Sequence, residues 1–147
     1  MARIVVHECT NLISKDRINP YVRVIVNGNE KKRTHVVKRS NSPRYDVPCE
    51  VVILDKTNVF VRIEVMDGDQ VLGSIGGQFV DMIRLQQSND GWWDITNEEQ
   101  TVGQIHLSAE WKPMVTTGLS DILDGHEFNS KRLLLFLRPY LKLFFSL

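Results

Sequence analysis

The stretch Tyr21-Val22-Arg23-Val24-Ile25-Val26-Asn27-Gly28-Asn29-Glu30-Lys31-Lys32-Arg33-Thr34-His35-Val36-Val37 decides how the chain folds. Its first six residues are β-branched or aromatic apart from Arg23, which suits a pleated, half-buried surface. Asn27-Gly28 follows, and both residue types accept the positive φ that a tight turn between antiparallel strands demands. A second extended run is expected around Thr34-His35-Val36-Val37, ending where Asn41-Ser42-Pro43 turns the chain again.

Outward from this pair the same pattern repeats. Upstream, Ile4-Val5-Val6-His7-Glu8-Cys9 is a β-branched run, followed by a polar loop that contains Ile18. Downstream, Val47 to Leu54 and Val59 to Met66 read as strands, the second alternating Val59, Val61, Ile63 and Val65 against Phe60, Arg62, Glu64 and Met66. Asp67-Gly68-Asp69 opens a loop expected to run through Val71-Leu72-Gly73, and strands follow at Ile75 to Met82, Gly91 to Ile95 and Val102 to Trp111. Short strands with turn signals about every ten residues predict an all-β, eight-stranded antiparallel β-sandwich and argue against βαβ units.

Composition bounds the function. The chain has 147 residues, 42% hydrophobic and 24% charged, enough for one core. Cys9 and Cys49 are its two cysteines, and no secretory leader pattern opens the sequence. A reducing, cytoplasmic setting follows, with both thiols as small buried hydrophobes. The four histidines, His7, His35, His106 and His126, are scattered without ligand or nucleophile spacing, so no enzyme is expected.

Charge is uneven. Lys+Arg and Asp+Glu both number 18, yet Lys31 to Tyr45 holds six cations and no acid. Strand alternation puts Lys32, Thr34, Val36 and Lys38 on one face and Arg33, His35, Val37 and Arg39 on the other. One basic strand without interleaved aromatics in a neutral domain does not point to nucleic acid.

Residues 3–113 resemble a C2 domain. The likeness rests on Glu8-Cys9-Thr10-Asn11-Leu12, Asn19-Pro20-Tyr21-Val22, Lys32-x-Thr34, Asn41-Ser42-Pro43-x-Tyr45-Asp46, Ile63-Glu64-Val65-x-Asp67-x-Asp69, Ile75-Gly76, Trp92-Trp93-Asp94-Ile95 and Gly103-x-Ile105-x-Leu107-x-x-x-Trp111-x-Pro113. The ending is similar to that of tricalbins and extended synaptotagmins, which tether endoplasmic reticulum to plasma membrane. The resemblance implies a module peripheral to an anionic phospholipid membrane, binding through Lys31, Lys32, Arg33, His35, Lys38 and Arg39, with Ile18, Val71 and Leu72 as inserted loop tips.

In that family five acidic positions on two loops hold calcium. They map here to Asp16, Asn19, Asp67, Asp69 and Gly73, of which Asn19 and Gly73 are not acids. Sites with few carboxylates are weak, so the expectation is lipid binding without calcium and without a cofactor. A C2 domain acting as a protein-interaction scaffold is the alternative. Oligomeric state is not legible.

The domain is expected to span 1–113, with 114–147 as a tail that is turn-like and then an amphipathic helix or disordered. As a helix, 131–147 puts Lys131, Arg138 and Lys142 on one face, and Pro139 kinks it. The tail reads equally as the point where a longer protein with several such domains has been cut.

Overall fold

Asn27 and Gly28 take φ of 48° and 82°, and the turn they make joins β2 (Pro20–Val26) to β3 (Asn29–Arg33). In this computed structural model, which describes residues 1–14, 16–84 and 88–113, six further strands complete the set. They are β1 (Ala2–Thr10), β4 (Arg44–Val51), β5 (Phe60–Asp67), β6 (Gln70–Gln78), β7 (Ser88–Asn97) and β8 (Gln100–Trp111). One helical turn, α1 (Phe79–Met82), follows β6. The tail 114–147 and the helix expected there lie outside the described residues.

The strand order is β3-β2-β5-β6-β7-β8-β1-β4, all neighbours antiparallel. β6 and β7 meet through the single pair Ser74 and Thr96, so this is the seam where one four-stranded sheet folds over the other. Val22, Val24, Val61 and Ile63 from one sheet then close on Ile4, Val6, Ile105 and Leu107 from the other, each at most 1% exposed. The open side of the sandwich carries the two edge strands, β3 and β4. β3 is polar and exposed throughout, and exposed Pro48 interrupts β4, both of which discourage pairing with another chain.

The β-sandwich is as the sequence pattern predicts, but boundaries move: the strand expected over Val47 to Leu54 runs Arg44–Val51, the one over Gly91 to Ile95 extends to Ser88–Asn97, and three further shifts bear on the site. The cationic strand ends at Arg33, before the Thr34-His35-Val36-Val37 centre expected of it. Buried Thr34 is the reason: its backbone N–H donates to Val22 O at 2.8 Å, while its Oγ1 accepts the Val22 N–H at 2.9 Å. The loop expected from Asp67 through Gly73 is instead a hairpin, because Gly68 takes φ of 58° and lets the chain reverse at once into β6. Val71 and Leu72 are therefore strand residues. The strand expected over Ile75 to Met82 ends at Gln78, where Phe79 turns into the core at 0% exposure.

β1 shows why spacing matters. Ala2, Ile4 and Val6 point inward, but the next buried residue is Cys9. A bulge between Val6 and Glu8 absorbs the extra residue, His7, and leaves His7 and Glu8 both outside.

Candidate functional site

The basic run lies along the open edge and the adjoining end of the sandwich. In β3, Lys32 stands opposite Val24 and Arg33 opposite Arg23, while Glu30 is opposite Ile25, which leaves Lys31 as the extra residue of a bulge. The bulge breaks the alternation that would send Lys31 and Lys32 to opposite faces. Both lysines act on the Cys49 thiol of β4, opposing the rise in its pKa that burial imposes.

Arg33 is occupied differently. Its Nη2 lies 2.9 Å from Glu30 Oε1, its guanidinium sits 5.0 Å from the Tyr21 ring centroid, and the Glu30 carboxylate raises its pKa further. Among the described residues no carboxylate lies within 4.0 Å of Lys31, Lys32, Lys38 or Arg39. Within the basic run from Lys31 to Tyr45, those four are the cations with charge to spare, Arg33 and Arg44 being paired.

Past Thr34 the chain is stitched to the loop 11–19. Val37 N–H donates to Pro20 O and Ser40 N–H to Ile18 O, each at 3.1 Å, and Arg39 N–H donates to Asn19 Oδ1 at 3.0 Å. His35 stands edge-on to Tyr45, 5.4 Å between centroids. The segment lifts Val36 outward, 51% exposed. Ile18, expected as an inserting tip, is 1% exposed and part of the core, because the loop folds under to carry the chain into Pro20. Val71 and Leu72 also depart from the loop-tip expectation: both are partly buried on β6, with Leu72 packed against the core. The exposed apolar tips at this end are Val36 and Ile13, the latter 69% exposed and tied to β8 by its N–H on Val102 O at 2.8 Å.

The acids expected around calcium do not come together as a compact ligand set. Asp67 Oδ1 accepts the Asn19 N–H at 3.3 Å, the Asn19 carboxamide oxygen is taken by Arg39, and Gly73 is buried within β6. Asp16, Asp67 and Asp69 do not form a group of three ligand atoms within 4.8 Å of one another. Among the described residues His7, Asp90 and His106 do. The sequence reading took these histidines as scattered. The signal was the outward position of His106 in the alternation of β8 together with the apolar spacing that demands a bulge at His7.

The family model for the C2 domain matches residues 1–107. The chain is similar to Synaptotagmin-1 of Arabidopsis thaliana, 27% identical over 122 residues covering 76% of this chain and 22% of that protein. It is 32% identical to Extended synaptotagmin-1 of Mus musculus over 120 residues, 74% of this chain and 11% of that protein. The similarity to Tricalbin-1 of Saccharomyces cerevisiae is 27% over 122 residues, 75% of this chain and 10% of that protein. The chain thus spans between about a tenth and a quarter of these relatives' length. Among solved structures, the C2A domain of plant Extended Synaptotagmin 1 superposes with a TM-score of 0.66 at 13% identity, covering 77% of this chain and 94% of that one. The SMP, C2A and C2B domains of Extended-Synaptotagmin 2 give 0.64 at 24% identity, with 75% and 26% covered.

Proposed function

The chain belongs to the C2 domain family, and on that premise we propose that it is a calcium-independent module that binds anionic phospholipid through Lys31, Lys32, Lys38 and Arg39, with Val36 as the inserted tip. The observation that carries this reading is that these four cations of the basic run have no carboxylate partner among the described residues and follow one another along the β3 edge and the loop after it. Arg33 and His35 border the surface in a supporting role, since Arg33 is already paired with Glu30.

Magnitudes support a weak, reversible contact. Four cations at about 1 kcal/mol each near an anionic leaflet give about 4 kcal/mol, on the order of millimolar binding. Val36 adds up to about 1.5–3 kcal/mol when fully buried in lipid, which moves affinity toward tens of micromolar. Exposed Glu98 and Glu99 sit in the β7–β8 hairpin at the same end, and their repulsion tilts the domain onto the β3 side. Ile13, held against β8, is on the wrong side of that tilt.

Two observations support calcium independence: Asp16, Asp67 and Asp69 form no compact ligand set, and the Asn19 carboxamide oxygen accepts the Arg39 N–H. In a protein built like the extended synaptotagmins, such a module would add one weak membrane contact among several, at an apposition of endoplasmic reticulum and plasma membrane. The test is co-sedimentation of the full chain with phosphatidylserine and phosphoinositide vesicles in chelator. Binding there, and none to phosphatidylcholine vesicles, is expected, whereas binding only with calcium contradicts the proposal.

A further inference from the structure

A second cluster lies on the outer face of the β7-β8-β1-β4 sheet, away from the basic edge. Trp92 and His106 are direct cross-strand partners and their rings stack 5.1 Å apart at 20°. His7, thrown outward by the β1 bulge, stacks on the other side of His106 at 4.4 Å and 27°. The His106 imidazole is held between two rings, so its face is covered and its nitrogen-bearing edge points outward.

Carboxylates meet those edges. His106 Nε2 lies 2.5 Å from Asp90 Oδ1. His7 Nδ1 lies 3.2 Å from Asp46 Oδ1, and Asp46 is in turn held by Arg44 Nε at 2.8 Å. With Nδ1 backed by a carboxylate, His7 has Nε2 as its ligating nitrogen, which lies 2.9 Å from Ser108 Oγ, a contact that a bound ion would replace. A carboxylate behind a ligating imidazole is the arrangement that orients histidines at zinc centres.

We propose that His7, His106 and Asp90 form a binding site for a zinc-class divalent transition-metal ion. The three ligand atoms lie within 4.8 Å of one another. A tetrahedral zinc with bonds near 2.0–2.1 Å holds its ligands about 3.3 Å apart, so binding requires the stacked His7 and His106 rings to turn their nitrogens toward one point and Asp90 to draw back from His106. Two imidazoles and one carboxylate suit zinc, copper or nickel, whereas calcium and magnesium want oxygen alone. The remaining position is left to water, which enters from the surface depression lined by Val5, Asp90 and Ser108. A bound ion would tie β1, β7 and β8 together on a face that takes no part in the lipid contact.

The test is calorimetric titration of zinc chloride into the full chain, with calcium and magnesium chloride as separate arms, alongside nitrogen-15 spectra of the imidazoles. One equivalent of zinc is expected, with the His7 and His106 resonances shifted. Binding weakens at least about ten-fold in both Asp90→Asn and His106→Gln and is unchanged in His35→Gln. Asp90 has a largely exposed side chain, so its isosteric variant keeps the fold. No zinc binding at about 1 mM, survival of binding in either variant, or equal binding of calcium overturns the proposal. Vesicle binding is unaffected by Asp90→Asn, so this outcome and that of the lipid reading are separable.

Discussion

The Thr34 hydroxyl oxygen accepts the Val22 backbone N–H at 2.9 Å, standing where a ladder carbonyl would stand. That contact ends β3 after Arg33 and sends the remaining cations into the loop beside Val36. Thr34→Val keeps the shape but leaves the buried N–H of Val22 without its acceptor, a loss of about 1–3 kcal/mol. Urea denaturation should show this loss, and Thr34→Ser should restore most of it.

Ile18 and Val36 separate stability from binding. Ile18→Ala removes a fully buried side chain and should cost about 2–5 kcal/mol in denaturation. Val36→Asp alters an exposed position, so stability should move by less than about 0.5 kcal/mol. Vesicle binding should nevertheless fall several-fold in Val36→Asp and much less in Ile13→Asp.

Gly73 holds the seam. A Cβ there would meet Val102 Cγ2 at 2.6 Å and Ile95 Cγ2 at 2.7 Å, both on short, stiff side chains. Gly73→Ala must push β6 from β7 and β8 next to their single bridging pair. A cost of about 1–3 kcal/mol is expected, with the earliest gain in hydrogen exchange at Ser74 and Thr96.

Burial pushes the Cys9 thiol up from 9.0 to about 12. The unfolded thiol releases its proton near 9 and the folded one does not, so stability is intact below that pH. Between about pH 9 and 12 the folded state holds the extra proton, and this group lowers stability by about 1.4 kcal/mol per pH unit. Burial raises Tyr45 as well and adds to the loss. Thermal melts from pH 8 to 11 should fall steeply above 9, and Cys9→Ala should flatten the slope.

Strand content was legible because apolar alternation reports directly on which face is buried, as along Val59, Val61, Ile63 and Val65. Asn27-Gly28 located its turn for the same local reason. The end of the cationic strand was not legible, since it depends on Thr34 meeting Val22, a contact between segments. Ile18 misled because an apolar residue in a polar loop looks exposed until the loop is seen folding under to Pro20. His7 and His106 are 99 positions apart in the chain and meet only through the β1–β8 pairing. The tip at Val36 was hidden by reading it as mid-strand.

The most direct test compares two charge reversals on anionic vesicles in chelator, at constant salt. Lys31→Glu, Lys32→Glu, Lys38→Glu and Arg39→Glu combined should abolish sedimentation with phosphatidylserine and phosphoinositide vesicles. Arg33→Glu alone should leave most of it, since that cation is already spent on Glu30. Retained binding by the fourfold variant, or loss in Arg33→Glu equal to it, would contradict the assignment of the membrane surface to the unpaired cations.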